Sequence, residues 1–295
     1  FNFKSNFSKK YTIGSIPLGS ESLIVNEVLN EAKLPGLYIA PNRERQERFM
    51  EACTFLCPHL KIEILPAWDC LPYDRLFPSP KIIGQRVKAF TTLANQLSQI
   101  DVLVVTAGSV MQLVPPVSYF QNRFLNLKVG QKIDRDLLIK TLVNYGYRNS
   151  SMVYEPGDFA IRGGIIDLFP SSEKDPVRVD FFGDSIEAIR YFDVKSQISS
   201  QSLRNVYIMS LMEFDFESSS ISAFRTNYRK HFGGVKVDNH TYHSVSEGQY
   251  MQGVEHFLPF FHGKLVSVLE YLKDALVFCE SGADSYMREQ ENLIK

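Results

Sequence analysis

Apolar and polar positions alternate most regularly between residues 157 and 193, where short runs are separated by turns. The runs AIRGGIIDLF (160–169) and VRVDFF (177–182) are rich in β-branched and aromatic residues and are bounded by glycine or proline. Runs of this length and composition are typical of β-strands. In VRVDFF the polar Arg178 and Asp180 alternate with valines, which predicts one buried and one open face. The whole stretch therefore predicts a twisted antiparallel sheet.

The first 116 residues show a different pattern, in which strand signals alternate with helical spacing. Apolar strand signals occupy 36–41 and 61–68, and segment 100–116 predicts a third strand and a short helix. Segments 42–57 and 80–97 place apolar residues at helical spacing. Strands that alternate with helices in this way predict a parallel α/β sheet.

The remaining segments mix strand and helix signals. Residues 123–133 predict a pair of strands, and residues 134–147 predict a helix with Asp134 as its N-cap and Gly146 as its stop. The last third contains a strand-like run, a helix that ends at a glycine pair, and a strand before a terminal helix.

These elements predict an α/β fold in three parts along the chain. A parallel-sheet lobe occupies residues 1–116, an inserted small α+β domain occupies 117–202, and a returning α/β segment occupies 203–295. The first boundary follows the proline pair at 115–116.

Composition is that of an ordinary globular protein of about two domains. Of 295 residues, 44% are hydrophobic and 22% are charged, and the net charge is −1. This balance argues against a strongly basic nucleic-acid-binding domain, although a local patch stays compatible with it. The sequence contains no apolar run long enough for a membrane span and no visible signal peptide. Four cysteines in 295 residues fit a reducing cytosol, so we expect a cytoplasmic protein.

A nucleotide site is the first chemistry to test, because Gly14 and Gly19 have the separation of the two glycines in a P-loop. The lysine position is Ser20 and the Ser/Thr position is Glu21. A P-loop needs the ammonium for the β/γ-phosphates and the hydroxyl for Mg²⁺, whereas a carboxylate repels the triphosphate. We therefore expect a turn before an amphipathic helix and no bound cofactor.

Metal binding and catalysis find little support. Cys53 and Cys57 lie one helical turn apart, and His240 and His243 are three residues apart, but neither pair has partners that complete a ligand set. We expect no metal and buried or spare thiols. No Ser/His/Asp set, paired carboxylates or redox CxxC stands out, so we expect no catalytic residues.

The helical segment 42–57 also contains three arginines, Arg43, Arg45 and Arg48. They could form a phosphate-binding face. Glu44 and Glu47 neutralise much of that charge, which favours a solvated face.

Three long motifs in the same order resemble the N-terminal, UvrB-like region of bacterial transcription-repair coupling factors, the Mfd family. They are the sheet-forming stretch 157–193, AWDCLPYDRLFPSPKIIGQRV (67–87) and GVEHFLPFF (253–261). The resemblance runs from about Tyr11 to the end. It implies a degenerate RecA-like lobe with an inserted small domain, comparable to UvrB domains 1a, 2 and 1b.

The resemblance also implies a function. In that family the inserted domain docks the damage-recognition protein UvrA, so the chain is expected to recruit UvrA to RNA polymerase stalled at DNA lesions. The chain opens with Phe and closes without a stop signal, and we expect it to be part of a longer protein. An ATP- and Mg-dependent DNA translocase and an RNA-polymerase-binding region would then lie downstream, with double-stranded DNA as a further partner and no membrane.

Two other functions stay open. One is a UvrB-type ATP-dependent damaged-DNA-binding protein, which Ser20 and Glu21 disfavour. The other is a DNA-binding module. In UvrB an aromatic-rich hairpin that clamps DNA lies where this chain has only the short loop 69–81, with Tyr73 and Phe77.

Residue by residue, the resemblance assigns UvrA contacts to Arg162, Arg178 and Phe182, with Arg190 as a weaker candidate. The pattern agrees, because residues 178, 180 and 182 share one face of a strand. An exposed aromatic beside a guanidinium has the composition of a protein-binding hot spot. The alternative is that Phe182 belongs to the core and the arginines are solvated.

Overall fold

The structure is a computed structural model that describes residues 10–70, 76–96, 99–234 and 239–294. Its helices, in chain order, are α1 (Glu21–Ala32), α2 (Arg43–Leu56), α3 (Pro80–Asn95), α4 (Ala107–Met111), α5 (Val117–Phe120), α6 (Arg135–Asn144), α7 (Ser218–Phe232), α8 (His240–Ser246), α9 (Leu258–Phe261) and α10 (Ala283–Ile294). Its strands are β1 (Gly36–Ala40), β2 (Ile62–Leu65), β3 (Val102–Thr106), β4 (Phe124–Lys128), β5 (Arg148–Asn149), β6 (Asp158–Arg162), β7 (Ile165–Leu168), β8 (Val177–Phe182), β9 (Ser185–Phe192), β10 (Ser199–Leu203), β11 (Asn205–Met209) and β12 (Leu276–Cys279).

The chain divides into two compact units. The first comprises Phe1–Trp68, Thr92–Val117 and Val266–Lys295, and the second comprises Asp69–Thr91 and Ser118–Leu265. The three-part division expected from the sequence, with boundaries after residues 116 and 202, stays a prediction.

The first unit contains a four-stranded sheet in the order β12-β1-β3-β2, with every neighbouring pair parallel. The central strands β1 and β3 are continuous apolar runs and are buried along their whole length. Strands covered on both faces need such runs, because alternation would bury polar side chains. The predicted parallel α/β sheet is confirmed.

The second unit is built on a six-stranded sheet in the order β10-β9-β8-β7-β6-β5. Its pairs are antiparallel except β5 with β6, which confirms the sheet predicted over 157–193. One face packs on α6 through a core that includes Leu138, Leu142, Phe159, Val179 and Phe181.

The residues predicted to begin and end α6 do so in the structure. The Asp134 side chain accepts hydrogen bonds from the backbone amides of Asp136 and Leu137, and Gly146 follows the helix with a φ of 88°. Both ends are as predicted.

The expected strand pair over 123–133 is wrong, because β4 pairs instead with the distant β11. The second half of that segment forms a bridge from Lys132 to Ser185, and the amides of Gly130 and Ile133 donate to the carbonyls of Ile186 and Asp184 at 2.7 and 2.8 Å.

No helix in the described ranges is long and apolar enough to cross a bilayer.

Candidate docking face of the second unit

The six-stranded sheet has a second face, opposite α6, on which the predicted site residues lie. Strand register aligns Asp167, Arg178 and Arg190 in one row across β7, β8 and β9. The next row contains Arg162 and Asp180, joined through Ile165 of β7. We call this surface, defined by these two rows and Phe182, the docking face.

Phe182 is the most exposed apolar side chain of the docking face. It is 81% exposed at the end of β8, whereas its neighbour Phe181 is 9% exposed and belongs to the core. The alternation along β8 therefore holds, and the alternative that Phe182 is a core residue is wrong. A bulge on β9 leaves Glu187 unpaired between the partners of Asp180 and Phe181, so it does not disturb the alternation along β8.

Arg162 is also presented to solvent, at the end of β6. Its Nη2 donates one long hydrogen bond of 3.4 Å to the carbonyl of Ser151. Among the described residues, most of its donors therefore stay available for a partner carboxylate, which can take an arginine fork in a bidentate pair.

Arg178 differs from Arg162, although both come from the same sequence pattern. Its Nε and Nη2 donate to the two carboxylate oxygens of Asp167 at 2.7 and 2.9 Å. Its Nη1 donates to the carbonyl of Gln197 at 3.3 Å and to Oγ of Ser199 at 3.4 Å. The hydrogen bond to Asp167 raises the pKa of the guanidinium. Arg178 is thus neither a solvated arginine nor a freely available one.

Arg190 continues the same row on β9 and is partly exposed. Its Nη2 donates to Oδ2 of Asp180 at 2.6 Å. The sequence pattern gave no role to the carboxylates Asp167 and Asp180, which the register places beside the arginines. The alternation of acidic and basic residues on neighbouring strands was the available signal, but its use requires the register.

The degenerate P-loop position lies in the first unit and contains internal ion pairs. Ser20 precedes α1, and Glu21 begins it. The Arg45 guanidinium donates to Glu21 at 2.9 Å and also pairs with Glu280, which accepts from the Tyr38 hydroxyl at 2.9 Å. The expected turn before a helix is confirmed, but Arg45 is not part of a solvated face.

A cleft of about 360 Å³ adjoins this cluster, lined among others by Leu18, Glu21, Tyr38, Arg45 and Arg48. Two carboxylates already neutralise the Arg45 guanidinium that could meet a phosphate. Arg48 pairs with Glu44 at 2.7 Å. Both arginines named in this lining therefore have carboxylate partners among the described residues, whereas P-loop chemistry requires a cation that is free to hold the phosphates.

The short loop 69–81 is described only in part, and Tyr73 lies outside the described residues. Phe77 packs against His256, with ring centroids 5.7 Å apart. Its ring also contacts Gly253, where a Cβ atom would lie 2.3 Å from the ring and where φ is 94°. Phe77 is therefore engaged within its own unit, not presented as a stacking platform.

The cysteine pair considered as metal ligands belongs to α2 and its C-cap, and the histidine pair belongs to α8. Cys53 and Cys57 are buried, and burial raises the pKa of Cys53 to about 12. His240 and His243 lie on α8. Among the described residues, no three His, Cys, Asp or Glu side chains are grouped so that they could hold a metal ion.

The docking face lies in a segment of the chain that matches a known family of interaction domains. Residues 125–214, from β4 to the segment after β11, match the family model of the UvrB interaction domain. The docking face lies wholly within this range. The chain therefore carries a UvrB interaction domain.

The wider chain is homologous to the N-terminal region of transcription-repair-coupling factors. It is 31% identical over 249 residues to that of Escherichia coli, which covers 84% of this chain and 21% of the relative. It is 29% identical over 269 residues to that of Haemophilus influenzae, covering 91% and 23%. For Bacillus subtilis the identity is 25% over 299 residues, covering 96% and 25%. The chain thus spans about a quarter or less of the curated relatives it matches.

Proposed function

We propose that this chain is a non-catalytic recruitment module that binds UvrA through the docking face. The observation that carries the proposal is Phe182, exposed on a matched UvrB interaction domain. A large exposed aromatic on the same sheet face as several arginines has the composition of a hot spot. Arg162, Arg178 and Phe182 are the residues on which UvrA binding depends.

In the longer protein this module would couple the removal of stalled RNA polymerase to nucleotide-excision repair. The polymerase, double-stranded DNA and an ATP- and Mg-driven motor would be partners and parts of that longer chain. In this role the first unit is a RecA-like lobe that has lost its nucleotide site. The commitment of Arg45 to Glu21 and Glu280 supports that reading over a UvrB-type ATPase.

Titration calorimetry between the purified chain and purified UvrA tests the proposal. Arg162→Glu should weaken binding by about tenfold or more, because it places like charge opposite the partner's carboxylates. Arg43→Glu is the matched control. Arg43 is an exposed arginine of α2 in the first unit, and the substitution makes the same change in net charge.

Two results would refute the proposal. One is the absence of binding by the wild-type chain at concentrations well above the micromolar range. The other is an equal effect of Arg162→Glu and Arg43→Glu, which would indicate attraction by net charge alone.

A further inference from the structure

The segment that follows β9 makes a tight turn beside the docking face. The carboxylate of Asp193 accepts from the amide and hydroxyl of Ser196 at 2.7 and 2.8 Å. The Gln197 amide donates to the carbonyl of Asp193 at 2.8 Å, and the Asp193 amide donates to that of Ile198 at 3.0 Å. We call residues 193–199 the anchored turn.

Ile198 is the apolar residue that closes this turn, directly before β10, and it is 67% exposed. Its neighbours on both sides, Gln197 and Ser199, accept hydrogen bonds from Arg178 of the docking face. An apolar side chain held out by a turn with several internal hydrogen bonds is already ordered. Little conformational entropy would be lost when a partner covers it.

We propose that the UvrA-binding surface extends onto the anchored turn, with Ile198 as an apolar contact and with Arg178 and Asp167 as positioning residues. This inference rests on the proposed function and names how Arg178 serves it. The surface would then run from Phe182 at one end of β8 to the anchored turn beside Arg178 near the other end. The positions of Arg178 and Phe182 differ by four residues along the strand, which is roughly 13 Å.

The donors of Arg178 are the first reason to assign it a positioning role. Nε and both terminal nitrogens already have acceptors within the chain, and the side chain is only 16% exposed. Its guanidinium also lies over the Phe192 ring, 4.9 Å from the centroid. A partner carboxylate would have to compete with Asp167 for a fork that is already bidentate.

Asp167 provides the discriminating variant because it is 1% exposed and cannot touch a partner. If Arg178 contacts UvrA directly, Asp167→Asn removes a competing carboxylate and leaves a stronger local positive charge. Binding should then stay equal or become tighter. If Arg178 positions the anchored turn, the same change releases the guanidinium and loosens the turn, so binding should weaken.

The matched control is Asp158→Asn. Asp158 is also a buried carboxylate of this sheet, paired with Arg148 at 2.7 Å, but at the β5–β6 edge. The two substitutions change net charge equally and each removes a buried acceptor from an arginine. We expect about tenfold weaker UvrA binding for Asp167→Asn and less than about twofold change for Asp158→Asn.

Ile198→Ser tests the contact itself and does not depend on a buried change. We expect about tenfold weaker binding. The exposed Leu113 of the first unit gives the control Leu113→Ser, for which binding should be unchanged. Amide hydrogen exchange of Gln197 in the free chain should accelerate in Asp167→Asn and not in Asp158→Asn.

The outcomes separate this inference from the function on which it rests. If the wild-type chain binds UvrA and Phe182→Ala weakens that binding, but Asp167→Asn and Ile198→Ser do not, the inference is overturned and the proposed function stands. Loss of wild-type binding overturns both. If Asp167→Asn fails to fold, Ile198→Ser decides alone, and wild-type affinity for it removes the anchored turn from the surface.

Discussion

Truncation of Phe182 to alanine should weaken UvrA binding without unfolding the chain. The side chain is 81% exposed, so its removal takes little from the packed core. The loss of strand propensity at this position is under about 1 kcal/mol. The variant therefore separates binding from stability, which a core substitution could not do.

The magnitude follows from the area that a partner could cover. A phenylalanine buries about 150–250 Å² when fully enclosed. With 81% of the side chain still exposed in the free chain, roughly 120–200 Å² is available. At about 25 cal/mol per Å² this is an upper limit of about 3–5 kcal/mol. Because binding also orders the interface, we expect about 2 kcal/mol, or roughly thirty-fold in Kd.

The assay is titration calorimetry of UvrA with wild type, Phe182→Ala and Phe55→Ala, after thermal melting of each variant. Phe55 is 86% exposed on α2 in the first unit, so its truncation is the same chemical change outside the docking face. Phe181→Ala should instead lower stability by about 3–5 kcal/mol, because Phe181 lies in the core.

Two results would refute the reasoning. If Phe182→Ala binds UvrA as tightly as wild type and melts normally, Phe182 is not a contact. If Phe182→Ala and Phe55→Ala weaken binding equally, the effect is nonspecific and the docking face is misassigned.

Three further predictions concern the rest of the chain. Calorimetry should detect no binding of Mg-ATP to the chain. Arg45→Ala should lower the free energy of unfolding by about 1–3 kcal/mol, because Glu21 loses its partner. Binding of ATP that Arg45→Ala abolishes would contradict the first of these expectations. Arg86→Met should lower the free energy of unfolding in urea by about 3–5 kcal/mol, because Glu213 stays buried and loses the Arg86 Nε that binds its carboxylate at 2.5 Å. Adding Glu213→Met should recover much of that loss. Losses that simply add in the double variant would contradict the reasoning. Burial lowers the folded-state pKa of His262 below 6.5, so the unfolded chain binds the proton first. The melting temperature should therefore fall as pH drops below about 6.5, and His262→Gln should flatten that slope; an unchanged slope would contradict the assignment.

The local pattern of the chain accounts for much of the architecture. Continuous apolar runs predicted the buried parallel strands, and alternation in VRVDFF predicted which residues of β8 are covered. Two adjacent phenylalanines, Phe181 and Phe182, have opposite environments for this reason. Strand alternation and helix caps depend on neighbouring residues, so the sequence alone carries them.

The sequence did not predict which strands pair with each other in every case. The sequence suggested that residues 123–133 pair with each other, but β4 pairs with β11, some eighty residues further along the chain. No local period specifies such a partner. It is selected by the burial that the completed sheet allows and by register.

The sequence by itself therefore determined that Arg178 and Phe182 share one face of a strand, and its resemblance to UvrB-like domains added Arg162 to them. Only the tertiary structure decided that Arg162 stays available while Arg178 is bound to Asp167 and to the anchored turn. Periodicity specifies the direction of a side chain, because it depends on the backbone of its own strand. Hydrogen-bond partners come from other strands and turns, so they are specified only when register and chain closure bring those segments together.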